Sequence, residues 1–418
     1  MKASDNVRWA GISFLALIVF WAVYECLLVV SWGRNGANVG ESYAYDLTAR
    51  RNEILCAHQG VNSFRIWNRE KTLSGFHPHN RPDKPNVAVK PGDRNVHAYP
   101  AWHTAYFYFY GWLPERVFYS VLGCLFGLCM MSVIYGIRDV CGEISDYPWL
   151  LTLGVLSLVA PYVFECFVAQ NYGMLILALM FLMVRALSVN CQVLAGLCWA
   201  LAMIKPQMAA LLFWPLLFGR KYVAIVTAAL VCVGATMVTG YIVAESPVDL
   251  ILQVPQIGTP YTATHFFNRI FGPCFNWAQM LVFGSLCGFL CYKMRDDDKW
   301  YCRYAPVALC TPLWTYNQPY DNMIFIIWYC AVVHELFSET DIGAKKWKIY
   351  VAVCFSAGLL TLAKDFAVLS GLNSIVLIWV GRAVRVAWWL ASFAMLLHLV
   401  KVRCVHVGKQ GTSFAAER

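Results

Sequence analysis

The sequence predicts an all-α polytopic membrane protein, a bundle of about twelve membrane segments with one large first external loop. Hydrophobic residues make up 59% of the chain and charged residues 14%, against roughly 45–50% and 25% in an average soluble domain. One water-soluble core cannot bury that much apolar surface. Apolar runs recur at 9–31, 116–137, 147–164, 172–187, 193–218, 222–244, 274–292, 304–315, 320–336, 348–362 and 384–400, and most suit a helix that crosses or enters a hydrocarbon layer. Residues 32–98, by contrast, are polar. No repeat of roughly 20–50 residues interrupts the pattern. Residues 1–418 therefore read as one integral membrane domain, with 32–98 as its first external loop and 193–218 as a re-entrant helical hairpin.

The first run follows Lys2 and Arg8 and ends without a small-residue cleavage pattern, so it reads as a retained anchor with a cytoplasmic N-terminus. The loop after it gathers carboxylates, arginines and aromatics on one membrane side. Its segment 41–55 reads as a short helix with Asp46, Arg50 and Glu53 on one face. Asp46 has a plain structural role open to it, an i,i+4 pair with Arg50 worth about 0.2–0.5 kcal/mol.

The net charge of +9 is scattered over the long loop and the short connections. It reads as topology charge, and no nucleic-acid partner is expected. Most of the 17 cysteines lie in apolar stretches without paired spacing, where a thiol acts as a small hydrophobe. Cys56 and Cys166 are the candidates for exposure, and a bridge between them is left open. His58, His77, His79 and His97 lack a zinc-like spacing and read as loop histidines. No metal or cofactor is expected.

The run 193–218 carries Lys205-Pro206 at its middle. As one kinked span it would reverse every later segment, placing Lys293, Arg295, Lys299, Arg303, Lys345, Lys346 and Lys348 outside, against the positive-inside rule. If the chain enters, turns at Lys205-Pro206 and returns, those loops are cytoplasmic. Each arm then has about 12 residues, or ~18 Å of helix, so the turn stops short of crossing a ~30 Å hydrocarbon core. A lysine there costs roughly 2.5–3.5 kcal/mol on insertion scales, which calls for an anionic partner. Snorkelling from a proline kink is the competing explanation. With both termini inside, the outer face collects 32–98, 165–171, 245–271, 316–319 and Lys364-Asp365, with Arg382 and Arg385 nearby. Cations facing one cavity suit a phosphate-bearing substrate.

Several segments resemble, in order, the polyprenol-phosphate-mannose-dependent mannosyltransferases of glycosyltransferase family 87, which have the membrane-embedded GT-C architecture. Tyr45-Asp46-Leu47 is similar to the family's catalytic-aspartate segment, and Gly60-Val61-Asn62-Ser63-Phe64 to its following glycine turn. Tyr99-Pro100-Ala101-Trp102 with Leu113-Pro114 resembles its YPP…LP stretch, and Ala169-Gln170-Asn171 its GQ-x-N turn. Ala195-Gly196-Leu197 through Lys205-Pro206 to Arg220-Lys221 resembles its G…KP…RR hairpin. Thr315-Tyr316-Asn317-Gln318-Pro319-Tyr320-Asp321 occupies the place of a late SP…YD segment, with Asn317 or Gln318 where some members carry histidine.

The resemblance implies inverting transfer of a hexose, mannose in the family, from a polyprenyl-phosphate sugar to a hydroxyl of an acceptor glycan or glycolipid. The expected location is a bacterial inner membrane with the site on the periplasmic side. Asp46 is the expected general base, because a hydroxyl needs a carboxylate to take its proton as the bond forms. Glu165 is the alternative base, and Glu53 and Glu70 trail it. Lys205, with Arg382 and Arg385, is expected to hold the donor phosphate as charge develops on it. Arg50, Tyr99, Trp102, Gln170, Asn171, Asn317 and Gln318 complete the expected substrate contacts. Trp67, Tyr99, Trp102 and His103 read first as interfacial anchors, and stacking on sugar rings is their second reading. A secondary transporter or lipid flippase is the alternative function, but it predicts two related halves with paired broken helices, and only one such hairpin is present. A ligase or acyltransferase would instead need an essential His or Arg in a late external loop.

Overall fold

The computed structural model describes residues 45–58, 60, 100–169, 171–253, 274–314, 319–338, 350 and 387–403. The expected first span, the loop 61–99 and the run 351–386, with Arg382 and Arg385, lie outside the described residues. Among those described, every regular element is a helix. α1 is Tyr45–His58 and α2 is Ala101–Phe107, continued by a 3-10 turn at Tyr108–Trp112. α3 (Glu115–Gly142), α4 (Pro148–Ala169) and α5 (Gly173–Ser188) follow. The hairpin comprises α6 (Gln192–Ala202), α7 (Pro206–Ala209), a 3-10 turn at Ala210–Leu212, and α8 (Phe213–Phe218). Beyond it lie α9 (Tyr222–Val243), α10 (Pro247–Gln253), α11 (Cys274–Lys293), α12 (Trp300–Trp314), a 3-10 turn at Pro319–Ile324, α13 (Phe325–Ser338) and α14 (387–403). Pro148, Pro206 and Pro247 open their helices, where the missing N–H costs nothing.

The helices are apolar on both faces, and the two faces have different surroundings. On α3, Phe118, Leu122, Phe126, Cys129, Val133 and Ile137 form a buried stripe, while Val117, Val121, Leu128, Met131 and Tyr135 are exposed. Val121–Gly142 and Tyr222–Val243 are long and apolar enough to cross a membrane, yet only 28% of each window is buried. The core helix of a soluble protein would be mostly covered. Large apolar side chains left outside along whole helices suit a hydrocarbon solvent. α12 and α13 are the reverse case, buried along nearly their whole length at the centre of the bundle.

The direction of α9 relative to α6 follows from their contacts. Gly196, near the start of α6, lies against Ala224 and Thr227 near the start of α9; a Cβ on it would sit 2.6 Å from the Ala224 carbonyl oxygen. Further along, Cys232 Sγ approaches the Ala200 carbonyl oxygen at 3.9 Å. The two helices therefore run parallel, so residues 203–218 must return the chain to the end where α6 began. A single span would have made them antiparallel. α6 has 11 residues, ~16 Å at ~1.5 Å per residue, about half a hydrocarbon core.

Three indoles stabilise the broken backbone at the turn. Trp102 donates to the Met203 carbonyl at 2.9 Å, Trp199 to Ala209 at 2.9 Å and Trp314 to Gln207 at 2.9 Å. Irregular backbone away from water needs such donors. The opposite end of the bundle is rich in charge: Lys299 pairs with Glu143 at 2.9 Å, and Arg403 with Glu335 and, at 3.5 Å, with Asp297. There the hydrogen bond that Lys299 donates to Glu143 holds its ammonium above its ordinary value, and burial raises the Asp297 carboxyl.

Candidate active site

Lys205 sits at the turn of the hairpin, between the end of α6 and Pro206, and only 1% of it is exposed. Its ammonium donates to Asn171 Oδ1 at 2.6 Å and to Asp321 Oδ1. Asp321 is fully buried. Snorkelling is therefore excluded: the lysine points into protein and meets a carboxylate. The anionic partner that a buried ammonium requires comes from the 3-10 turn before α13.

Each member of this cluster is set by local structure. Asn171 ends α4, where Cys166 accepts its N–H at 3.0 Å and donates Sγ–H to its carbonyl at 3.1 Å. The Asn171 side-chain oxygen also accepts from the Gly173 N–H at 3.0 Å, which caps the start of α5. Lys205 lends its carbonyl to the N–H groups of Met208 and Ala209, starting the return arm. Gln207 is buried beside them.

A second buried group adjoins the first through Tyr172. Glu53 Oε2 on α1 lies 3.7 Å from His103 Nδ1 on α2, and His103 Nε2 lies 3.4 Å from the Tyr172 hydroxyl. Glu53, His103 and Tyr172 are all buried. α1 is held to α2 at its C-terminal end as well: His58 Nε2 meets the Tyr108 carbonyl at 2.7 Å, in a space open only because residue 111 is glycine, whose Cβ would fall 2.5 Å from the imidazole. Asp46 and Arg50 lie on the first turns of α1.

An apolar groove of about 420 Å³ has Ile204, the chain neighbour of Lys205, in its wall and exposed Leu128 and Leu182 at its rim. Tyr106, Phe107, Leu128, Ser132, Leu182 and Ile204 are among its walls. Ile204 precedes Lys205, and Phe107 stacks on Tyr172 with ring centroids 5.1 Å apart.

The structure brings Lys205 and Asn171 together and sets Trp102 against the same turn. It corrects the reading of Trp102 and His103 as interfacial anchors, since both are packed inside. Cys56 and Cys166 are both buried, so neither is exposed, and no bridge joins them. Tyr99, Gln170, Asn317, Gln318, Arg382 and Arg385 lie outside the described residues, as do the side chains of Asp46, Arg50 and Glu165. Among the described residues no group of three or more His, Cys, Asp or Glu is arranged to hold a metal. Sequence reasoning gave no role to Asp321, although the late YD motif contained it, and it ranked Glu53 low because its partner His103 is 50 residues away.

Exposed apolar helices around a broken hairpin with a buried ammonium point to a membrane protein with an enclosed polar site. Residues 97–270 match the family model of glycosyltransferase family 87. The resemblance read from the motifs is borne out over that stretch, which includes Trp102, Asn171 and the whole Lys205 hairpin, and the match supports a glycosyltransferase. No match is found among curated proteins or solved structures.

Proposed function

We propose that the protein transfers a hexose, mannose by its family resemblance, from a polyprenyl-phosphate sugar to a hydroxyl of an acceptor glycan or glycolipid. The carrying observation is the buried Lys205, whose chain neighbour Ile204 forms part of the wall of an apolar groove. A lipid phosphate offers a prenyl chain for the groove and an anion for the ammonium. Asp321 and Asn171 hold Lys205 before the donor arrives; phosphate then joins or displaces Asp321 as the counter-charge. As the glycosidic bond breaks, charge builds on the departing phosphate and the ammonium stabilises it more strongly, which lowers the barrier. Asp46 takes the proton of the attacking hydroxyl, with Glu165 as the alternative base. Arg382 and Arg385 are proposed as further phosphate contacts. Arg50, Tyr99, Trp102, Gln170, Asn171, Asn317 and Gln318 are proposed around the sugar and acceptor, Trp102 and Asn171 acting partly through the turn they brace. The basic connections face the cytoplasm by the positive-inside rule, which puts the site on the outer side of the membrane.

The test is transfer from radiolabelled polyprenyl-phosphate mannose by the purified protein in lipid nanodiscs. Product is expected, and Ser132→Phe, which narrows the groove, should raise the KM for a long-chain donor more than for a short-chain one. Absence of product with every lipid-phosphate hexose, alongside transport of a lipid substrate, would replace this reading with the flippase alternative.

A further inference from the structure

The mechanism leaves the buried pair Glu53 and His103 unused. His103 lies on α2, and its two ring nitrogens face different elements: Nδ1 faces Glu53 on α1 and Nε2 faces Tyr172 at the head of α5. The neighbouring Trp102 ties α2 to the Lys205 turn through the Met203 carbonyl, and Thr239 Oγ1 ties it to α9 by donating to the Ala101 carbonyl at 2.8 Å. Tyr172 is next in the chain to Asn171, which holds the Lys205 ammonium. A continuous buried path therefore runs from the helix carrying Asp46, through Glu53, His103, Tyr172 and Asn171, to Lys205.

We infer that His103 is a positioning residue that sets the separation between the base-bearing helix and the phosphate-holding lysine. The inference rests on the glycosyl-transfer reading above. The chemistry calls for such a bracket, because the acceptor proton and the departing phosphate are handled on opposite sides of one sugar carbon. An error of ~1 Å in their separation is enough to cost about a hundredfold in rate. Asp46 is on the first turn of α1, and the second half of that helix is docked at Glu53 and His58. Seven residues separate Asp46 from Glu53, ~10 Å of helix, so rigid coupling at Glu53 fixes where Asp46 stands. An imidazole suits this role: it is planar, holds a polar atom at each side, and packs here against the stacked rings of Phe107 and Tyr172 at 5.1 and 5.5 Å. A satisfied core histidine would have the same burial, but its loss would lower only stability.

The experiment compares the parent protein with His103→Phe, His103→Gln and Tyr172→Phe, the last keeping the ring stack with Phe107 while removing the hydroxyl. Steady-state kinetics with polyprenyl-phosphate mannose are measured per folded molecule, and the distance between spin labels on genetically encoded residues at Thr48 and Leu182 reports α1 against α5. Expected are a fall in kcat of about tenfold or more for His103→Phe and Tyr172→Phe, a donor KM within about twofold, and a broadened distance distribution. His103→Gln, which keeps a polar group toward Tyr172, should recover part of the rate. Unchanged kcat with an unchanged distance, or a loss accounted for wholly by unfolded protein, overturns the inference. If the parent makes no product, the transfer reading fails, and the distance arm still decides whether His103 couples the two helices.

Discussion

Lys205 and Asp321 invite a double-mutant cycle, because both are buried and each is the other's counter-charge. Removing one member of such a pair strands the other and typically costs about 3–5 kcal/mol. Asp321→Asn should fall near the lower end, about 3 kcal/mol, since Asn171 Oδ1 still accepts from the ammonium at 2.6 Å. Lys205→Met should cost more, about 4 kcal/mol, because an aspartate with no exposed surface loses its cation. The double variant carries no stranded charge and should lose at most about 2 kcal/mol, giving a coupling energy of about 5 kcal/mol. Unfolding in detergent micelles, read by tryptophan fluorescence across a denaturant series, measures all four proteins. Transfer activity in nanodiscs separates fold from function: the double variant should be folded, bind donor weakly and turn over poorly. Single-variant costs below about 1 kcal/mol that simply add would refute the reasoning, since Lys205 would then find solvent or lipid headgroups by itself.

Asp46→Asn should abolish turnover with donor binding and melting midpoint retained, whereas Arg50→Ala should cost little; near-normal turnover in Asp46→Asn would pass the base role to Glu165. Gly196→Val should destabilise by about 1–3 kcal/mol, because its Cβ meets the Ala224 carbonyl oxygen at 2.6 Å, and unchanged melting would show that α6 and α9 are not so closely apposed. Membrane-impermeant thiol reagents should reach a cysteine at Gly75 but not at Lys221 or Lys346, in a background lacking the exposed Cys124 and Cys191; labelling at Lys346 would invert the topology. Glu143 raises the Lys299 pKa, so the stability this pair adds is complete below the ordinary lysine value and is lost as pH rises through the higher folded value. The pair is partly exposed and its contribution should stay under about 1 kcal/mol, seen as a steeper alkaline loss of melting midpoint in the parent than in Glu143→Gln.

Much of the helical framework is legible in the chain itself. The apolar runs at 116–137, 147–164, 172–187 and 222–244 lie within a few residues of α3, α4, α5 and α9, because the length of an apolar run and its flanking charges are local quantities that a membrane reads directly. The hairpin was read by the same logic, since only a return at Lys205-Pro206 kept the basic loops on one side. The family, too, was readable from short motifs in order. What tertiary structure alone decided is the pairing of the buried charges. Asp321 lies 116 residues from Lys205 and His103 lies 50 from Glu53, and no periodicity encodes which carboxylate will meet which cation. The same holds for Trp102, Cys56 and Cys166, which the loop sequence suggested were at the surface and which packing put inside. Hydropathy records how much a segment prefers lipid to water, but the partner of a buried polar group is set by which helices become neighbours, and that depends on the close packing of the whole bundle.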